Sequence, residues 1–112
     1  MEKYAIFAFR GDPVCFTHVM LNALDLDAKG HDVKVILEGE AVELVQTMRE
    51  GEIRLFAEME SKGLIDAVCR ACSATLGVLE YNEKSGLRMA GEMSGHVAFS
   101  TYTDQGYTII TL

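Results

Sequence analysis

Tryptophan is missing from these 112 residues and proline occurs once. Basic residues are few and scattered singly: ten Lys and Arg against seventeen Asp and Glu leave a formal net charge of −7. Nothing in that distribution offers the phosphate-neutralising surface that nucleic-acid binding requires, which excludes DNA and RNA as partners. Long apolar runs are also missing, and none approaches the roughly 18 residues needed to span a bilayer, so no membrane partner is expected. At the N-terminus, "MEKYAIFAFRGD" has too short an apolar stretch, and too early an Arg-Gly-Asp, for a secretory signal. The expectation is a soluble, cytoplasmic protein. Cysteine is scarce and odd in number, at three, which argues against a disulfide framework and for reduced thiols with redox, metal or nucleophile chemistry.

What remains is a core-forming composition. Hydrophobic residues make up 49% and charged residues 24%, the balance of a folded chain rather than a disordered one. A chain of this length forms one domain, residues 1–112, and buries about two-thirds of the surface exposed when unfolded.

Residues 3 to 9, "KYAIFAF", read as a buried strand closed by Gly11-Asp12-Pro13. Asp12 suits an N-cap and Pro13 a first helical residue, because the ring presets φ and its missing donor is unpaired there anyway. The spacing predicts a helix from Pro13 to Lys29 with Gly30 as its cap. "DVKVILE", residues 32 to 38, is rich in β-branched residues and forms a second strand. The run "EGEAVE" from Glu38 reads as a solvated helix start whose carboxylates suit the dipole. Ala41, Leu44, Val45 and Met48 then mark a buried helix face; Gly51 interrupts the pattern, and "EIRLFAEMESKG" continues helically to a cap at Gly63. "LIDAVC" is the third strand, followed by a helix carrying Cys72, Leu76 and Leu79 on one face. "LRMAGEM" is either a short strand or a connection. Ser94 is placed to N-cap a helix from about Gly95 to Gln105, and "YTIITL" is the final strand.

Alternating strands and helices imply right-handed crossovers, hence a three-layer α/β/α fold with a mainly parallel sheet of four or five strands. Ligands of such sheets gather outside the carboxyl ends of the strands. That edge should collect Cys15 and His18 on the first helix, Cys69 and Cys72 after the third strand, and Ser94 and His96 before the last helix.

Cys69, between a strand end and a helix start, is the thiol that backbone N–H groups would ionise, with the guanidinium of Arg70 beside it. Its alternative is an inert strand-end cysteine. Cys72 reads as a resolving thiol or as a small buried hydrophobe. Among Val14, Phe16 and Val19, Cys15 reads first as core. His18 reads as a structural residue of an apolar helix, and His31 as loop surface. For His96 two roles stay open, polarising a substrate or reinforcing the turn. Cys15-x-x-His18 with Cys69-x-x-Cys72 also supplies four soft ligands with spacing compatible with zinc, if the loops meet. No cofactor is expected, since neither G-x-G-x-x-G nor a P-loop follows a strand.

The order of strand, "GDP" turn, long helix, "VKVILEG", "GLIDAVCRACSATLGV" and a late "EMSGH" resembles the DsrE/DsrF-like family of small sulfur-relay proteins over essentially the whole chain. The resemblance implies a parallel α/β/α fold, assembly as a homo-oligomer, trimer or hexamer, and sulfane sulfur carried as a persulfide between donor and acceptor proteins. By position Cys69 matches the sulfur-carrying cysteine. Cys72 has no counterpart in the simplest relay members, which leaves room for a disulfide-forming or second-acceptor variant. Three functions follow as expectations: a sulfurtransferase-type persulfide carrier on Cys69, with Cys72 as resolving thiol; a zinc module on Cys15, His18, Cys69 and Cys72; and a non-enzymatic oligomeric binding protein whose cysteines are core.

Overall fold

Five short segments become strands, the three central ones because helices covering the sheet let them bury both faces. The computed structural model describes all of residues 1–112. Its strands are β1 (Lys3–Ala8), β2 (Asp32–Leu37), β3 (Ile65–Cys69), β4 (Met89–Ala90) and β5 (Thr108–Thr111). They form one all-parallel sheet in the order β4-β3-β2-β1-β5. Register aligns Ala8 with Leu37, Leu37 with Val68 and Cys69 with Ala90, so four strands end at nearly one level. That shared edge positions the site.

The central strands are sealed: Ile6, Phe7, Val35, Ile36, Leu37, Ala67 and Val68 are buried. A fully buried Val, Leu, Ile or Phe contributes about 1.5–3 kcal/mol relative to an exposed one, so this layer is a large contributor to stability. Successive right-handed crossovers from β1 to β4 step in one direction and place their helices on one face; the return to β5 places its helix on the other. Phe7 meets that returning helix, α6 (Phe99–Thr103), through edge contacts with Phe99 and Tyr102 at ring-centroid distances of 4.7 and 5.5 Å. The three-layer α/β/α expectation is met, with five strands and a short β4 in "LRMAGEM".

Helix α1 (Pro13–Ala28) begins where the sequence predicts and ends one residue before the expected Lys29, which is its C-cap. Asp12 Oδ1 accepts from the N–H groups of Val14 and Cys15 at 2.7 and 3.4 Å, and Gly30 turns the chain with φ 86°. Its inner face is Phe16, Val19, Met20 and Ala23.

Three expectations need correction. The segment after Gly39 opens as a 3-10 helix (Gly39–Glu43) rather than as the expected helix start, and α2 (Leu44–Glu50) and α3 (Arg54–Ser61) follow, separated at Gly51 where the sequence marks an interruption. Glu52 stands at φ 51°, a left-handed conformation that turns the chain so that Met48 of α2 and Phe56 and Met59 of α3 all reach the core. Past β3, the expected helix splits at Gly77 (φ 77°) into α4 (Arg70–Thr75) and α5 (Leu79–Glu83). Leu76 faces out, and the inward residues are Ser73 and Asn82. Ser73 Oγ donates to the Cys69 carbonyl at 2.7 Å, while Asn82 Nδ2 donates to Ser73 Oγ and to the Val42 carbonyl, both at 3.0 Å. With those positions facing the core, Cys72 is left half-exposed rather than buried.

Last, Ser94 caps no helix. Ser94 and Gly95 have φ 50° and 91° and form the two-residue tip of a tight turn, in which Met93 and His96 exchange both backbone hydrogen bonds at 2.9 Å. Two successive positive φ values are the signature of a hairpin-type turn, for which Gly at the second position is well suited. The helix begins only at Phe99.

Candidate functional site

Four side chains converge at the carboxyl edge of the central strands. Glu38 directly follows β2, Cys69 ends β3, Cys72 lies in α4, and His96 leaves the Ser94-Gly95 turn. His96 Nδ1 lies 3.4 Å from Cys69 Sγ, 3.5 Å from Cys72 Sγ and 3.7 Å from Glu38 Oε1. The four ligand-type atoms all fall within 4.8 Å of one another.

Close backbone approach holds His96 there. The Gly95 carbonyl accepts from the Ala71 N–H at 2.9 Å, and a Cβ on Gly95 would stand 2.9 Å from the Ala71 Cβ. A Cβ on Gly91 would meet the Gly95 backbone at 3.0 Å. Glycine at both positions therefore lets the turn press against the start of α4, where both cysteines lie.

Cys69 meets only part of its expectation. It does sit at a helix beginning: its Sγ accepts from the Cys72 N–H at 3.4 Å as the N-cap of α4. Yet it is 0% exposed, and burial pushes its thiol up to about 12, outweighing the amide that favours thiolate; the nearby Glu38 carboxyl pushes the same way. The solvent-reachable, acidified thiol expected at position 69 is thus corrected: partial dipole charge cannot offset removal from water together with a neighbouring anion. The thiol faces the Gly95 carbonyl at 3.7 Å, as a protonated sulfur does.

Reachability passes to Cys72. It opens, with His96, onto a pocket of about 290 Å³ lined also by Gly39, Glu40, Thr75 and Leu76. The His96 side chain is 46% exposed. On its other side a second pocket, about 440 Å³, is lined by Phe9, Glu38, Met93, His96 and Val97 to Ser100. His96 thus stands between two openings, with Nδ1 toward the sulfurs.

Cys15 and His18 do not join this cluster. Cys15 is half-buried rather than core, and His18 is exposed. Both line a separate pocket with Phe9, Arg10, Thr111 and Leu112, so the zinc quartet expected from Cys15, His18, Cys69 and Cys72 is not assembled. Arg70 turns from the sulfurs to Glu83 Oε2, 2.9 Å from its Nη1. His31 accepts from the Glu2 N–H at 3.0 Å, at the opposite end of β2 from the site. Sequence reasoning missed Glu38, which is 5% exposed instead of solvated. Its signal was position: a carboxylate directly after a buried strand, before Gly39, whose φ of 52° lets the chain pass the Phe9 carbonyl.

A parallel α/β domain whose strand ends carry a cysteine pair beside a histidine defines the class. The DsrE/DsrF-like family model matches residues 7–112, and the chain belongs to that family. It is 37% identical to an uncharacterized protein of Methanocaldococcus jannaschii over 95 residues, covering 85% of this chain and 78% of that protein. A second uncharacterized protein, from Archaeoglobus fulgidus, is 36% identical over 52 residues, which is 46% of this chain and 85% of its own. Among solved structures, a conserved protein of unknown function from Bacteroides thetaiotaomicron superposes with a TM-score of 0.71 at 19% identity, covering 98% of this chain and 95% of that one. That likeness speaks for the fold alone. No helix is long and apolar enough to cross a membrane.

Proposed function

We propose that residues 1–112 act as one domain that carries sulfane sulfur as a cysteine persulfide, with Cys72 as the thiol that meets partners and Cys69 as its buried companion. The observation that carries this reading is the placement of reachable Cys72 Sγ 3.5 Å from His96 Nδ1, one helical turn from Cys69. With Nδ1 unprotonated, His96 takes the proton of the Cys72 thiol. The thiolate attacks the outer sulfur of a donor persulfide; the new S–S bond forms on Cys72, and the donor's old S–S bond breaks to release its thiolate. An acceptor thiolate then attacks the outer sulfur and leaves Cys72 as thiolate. Alternatively, Cys69 attacks the Cys72 sulfur, forming a Cys69–Cys72 disulfide and expelling hydrosulfide.

Such chemistry needs reduced thiols, which suits the cytoplasm. Donor and acceptor proteins would meet the rim through Met93 and Phe99, exposed by 53% and 45%. The same apolar rim, with Val14 and Leu112, suits the family's trimer or hexamer. The test is incubation of the reduced protein with a persulfide donor, followed by peptide mass analysis. A one-sulfur increment on the peptide holding Cys69 and Cys72, lost in Cys72→Ser, is expected. Sulfur confined to Cys15, or none, overturns the reading.

A further inference from the structure

We propose that Glu38, Cys69, Cys72 and His96 form a binding site for a thiophilic divalent cation of the zinc type. The inference stands apart from sulfur carriage and rests on ligand identity and spacing. Zinc bound at about 2.3 Å to sulfur and about 2.0 Å to nitrogen in a tetrahedron holds those two ligand atoms about 3.5 Å apart. His96 Nδ1 stands 3.4 and 3.5 Å from the two sulfurs and 3.7 Å from Glu38 Oε1. With all four atoms within 4.8 Å, small side-chain shifts close a tetrahedron.

The donor set selects the ion. Two sulfurs, one imidazole and one carboxylate suit zinc or cobalt, whereas magnesium and calcium prefer all-oxygen shells. Glu38 supplies an independent observation. Its side chain is 6% exposed and faces no Lys or Arg; Oε1 looks toward His96, and Oε2 holds only a long contact, 3.4 Å, from the Val97 N–H. A buried carboxylate whose one basic neighbour is an unprotonated imidazole is costly, and a divalent ion at this point supplies the missing positive charge. On ligation each thiol gives its proton to solvent, and the unprotonated Nδ1 supplies the fourth electron pair.

Backbone rigidity favours the site. Cys69 is fixed by β3 and the N-cap bond, Glu38 by the end of β2, and His96 by the glycine-dependent turn. Cys72 lies on a partly open face, which gives the ion an entry path. All four ligands come from one chain, so no partner is required.

The test is anaerobic titration of the reduced, metal-stripped full chain with cobalt(II), followed by displacement with zinc(II) in competition with a chromophoric chelator. One cobalt per chain, with sulfur-to-cobalt charge-transfer absorption and tetrahedral ligand-field bands, is expected. Cys72→Ser, His96→Gln and Glu38→Gln should each weaken zinc binding at least about tenfold, in line with the sensitivity of metal sites to their surroundings. Cys15→Ser/His18→Gln should bind as the parent does, and circular dichroism identifies any variant that fails to fold. Absence of the charge-transfer band, undiminished affinity in the folded Cys72→Ser or Glu38→Gln variants, or equal loss in the Cys15/His18 variant overturns the proposal. Sulfane loading is read by mass on metal-free protein, so failure of one proposal leaves the other standing.

Discussion

The backbone N–H of Cys72 points at the sulfur of Cys69 across 3.4 Å, while one sulfur is buried and the other half-exposed. Two thiols three residues apart thus meet different solvents. In metal-free protein, iodoacetamide should label Cys72 well before Cys69 at neutral pH. Cys69 stays a thiol until the pH approaches about 12, so its labelling rises only at strongly alkaline pH or on unfolding. Timed alkylation with peptide mass mapping checks the order; equal early labelling of both contradicts it.

Gly95 should tolerate no side chain. Its φ of 91° is unfavourable for L residues, and a Cβ would press on Ala71 at 2.9 Å. Gly95→Ala should lower stability by about 1–3 kcal/mol and displace His96 from the sulfurs. A urea midpoint together with sulfane loading measures both; unchanged values contradict the packing argument.

Asn82 ties the cysteine helix to the 3-10 helix from inside. Replacing it with Ala leaves the Val42 carbonyl and Ser73 hydroxyl short of a donor, which should cost about 1–3 kcal/mol. Chemical denaturation measures this, with the exposed Glu80→Ala as a control expected to change little.

Alkaline pH should destabilise the fold through tyrosine. Burial pushes Tyr107 up to about 12, aided by its 2.7 Å hydrogen bond to Asp32, and Tyr102 is raised by burial and by Asp66. The native state then holds protons that the unfolded chain releases near pH 10, so this stabilisation is full below about 10 and falls as pH rises toward 12. Urea midpoints across that window should decline, and Tyr107→Phe should flatten the decline.

Zinc and sulfane sulfur should compete, because both proposals use the same thiols. Zinc supplied before a persulfide donor should reduce loading of the Cys69/Cys72 peptide, and chelator should restore it. Mass analysis with and without zinc provides the check.

Strand and first-helix positions were legible because each follows from local chemistry. Apolar runs followed or preceded by glycine, β-branched above all in β2, define β1 to β3, and Asp12-Pro13 defines the start of α1. The last helix was misplaced because "SGH" suits a cap and a tight turn equally, and only packing against Ala71 decides between them. Spacing puts Leu76 on a buried face, yet Gly77 ends the helix before that face can form. Glu38 reads as solvated in sequence because nothing within "LEGE" reveals the contacts that Val97 and His96 make with it.

By itself the sequence determined the strand-and-helix alternation, the family, and the cysteine pair at the third strand's end, because these depend on neighbours along the chain. Tertiary structure alone decided which sulfur solvent reaches, that His96 and Glu38 face both thiols, and that Cys15 and His18 stand elsewhere. Exposure, ionisation and ligand spacing are set by groups from distant segments: 58 positions separate Glu38 from His96, and the parallel register of the sheet together with the packing of the Ser94-Gly95 turn on Ala71 brings them together.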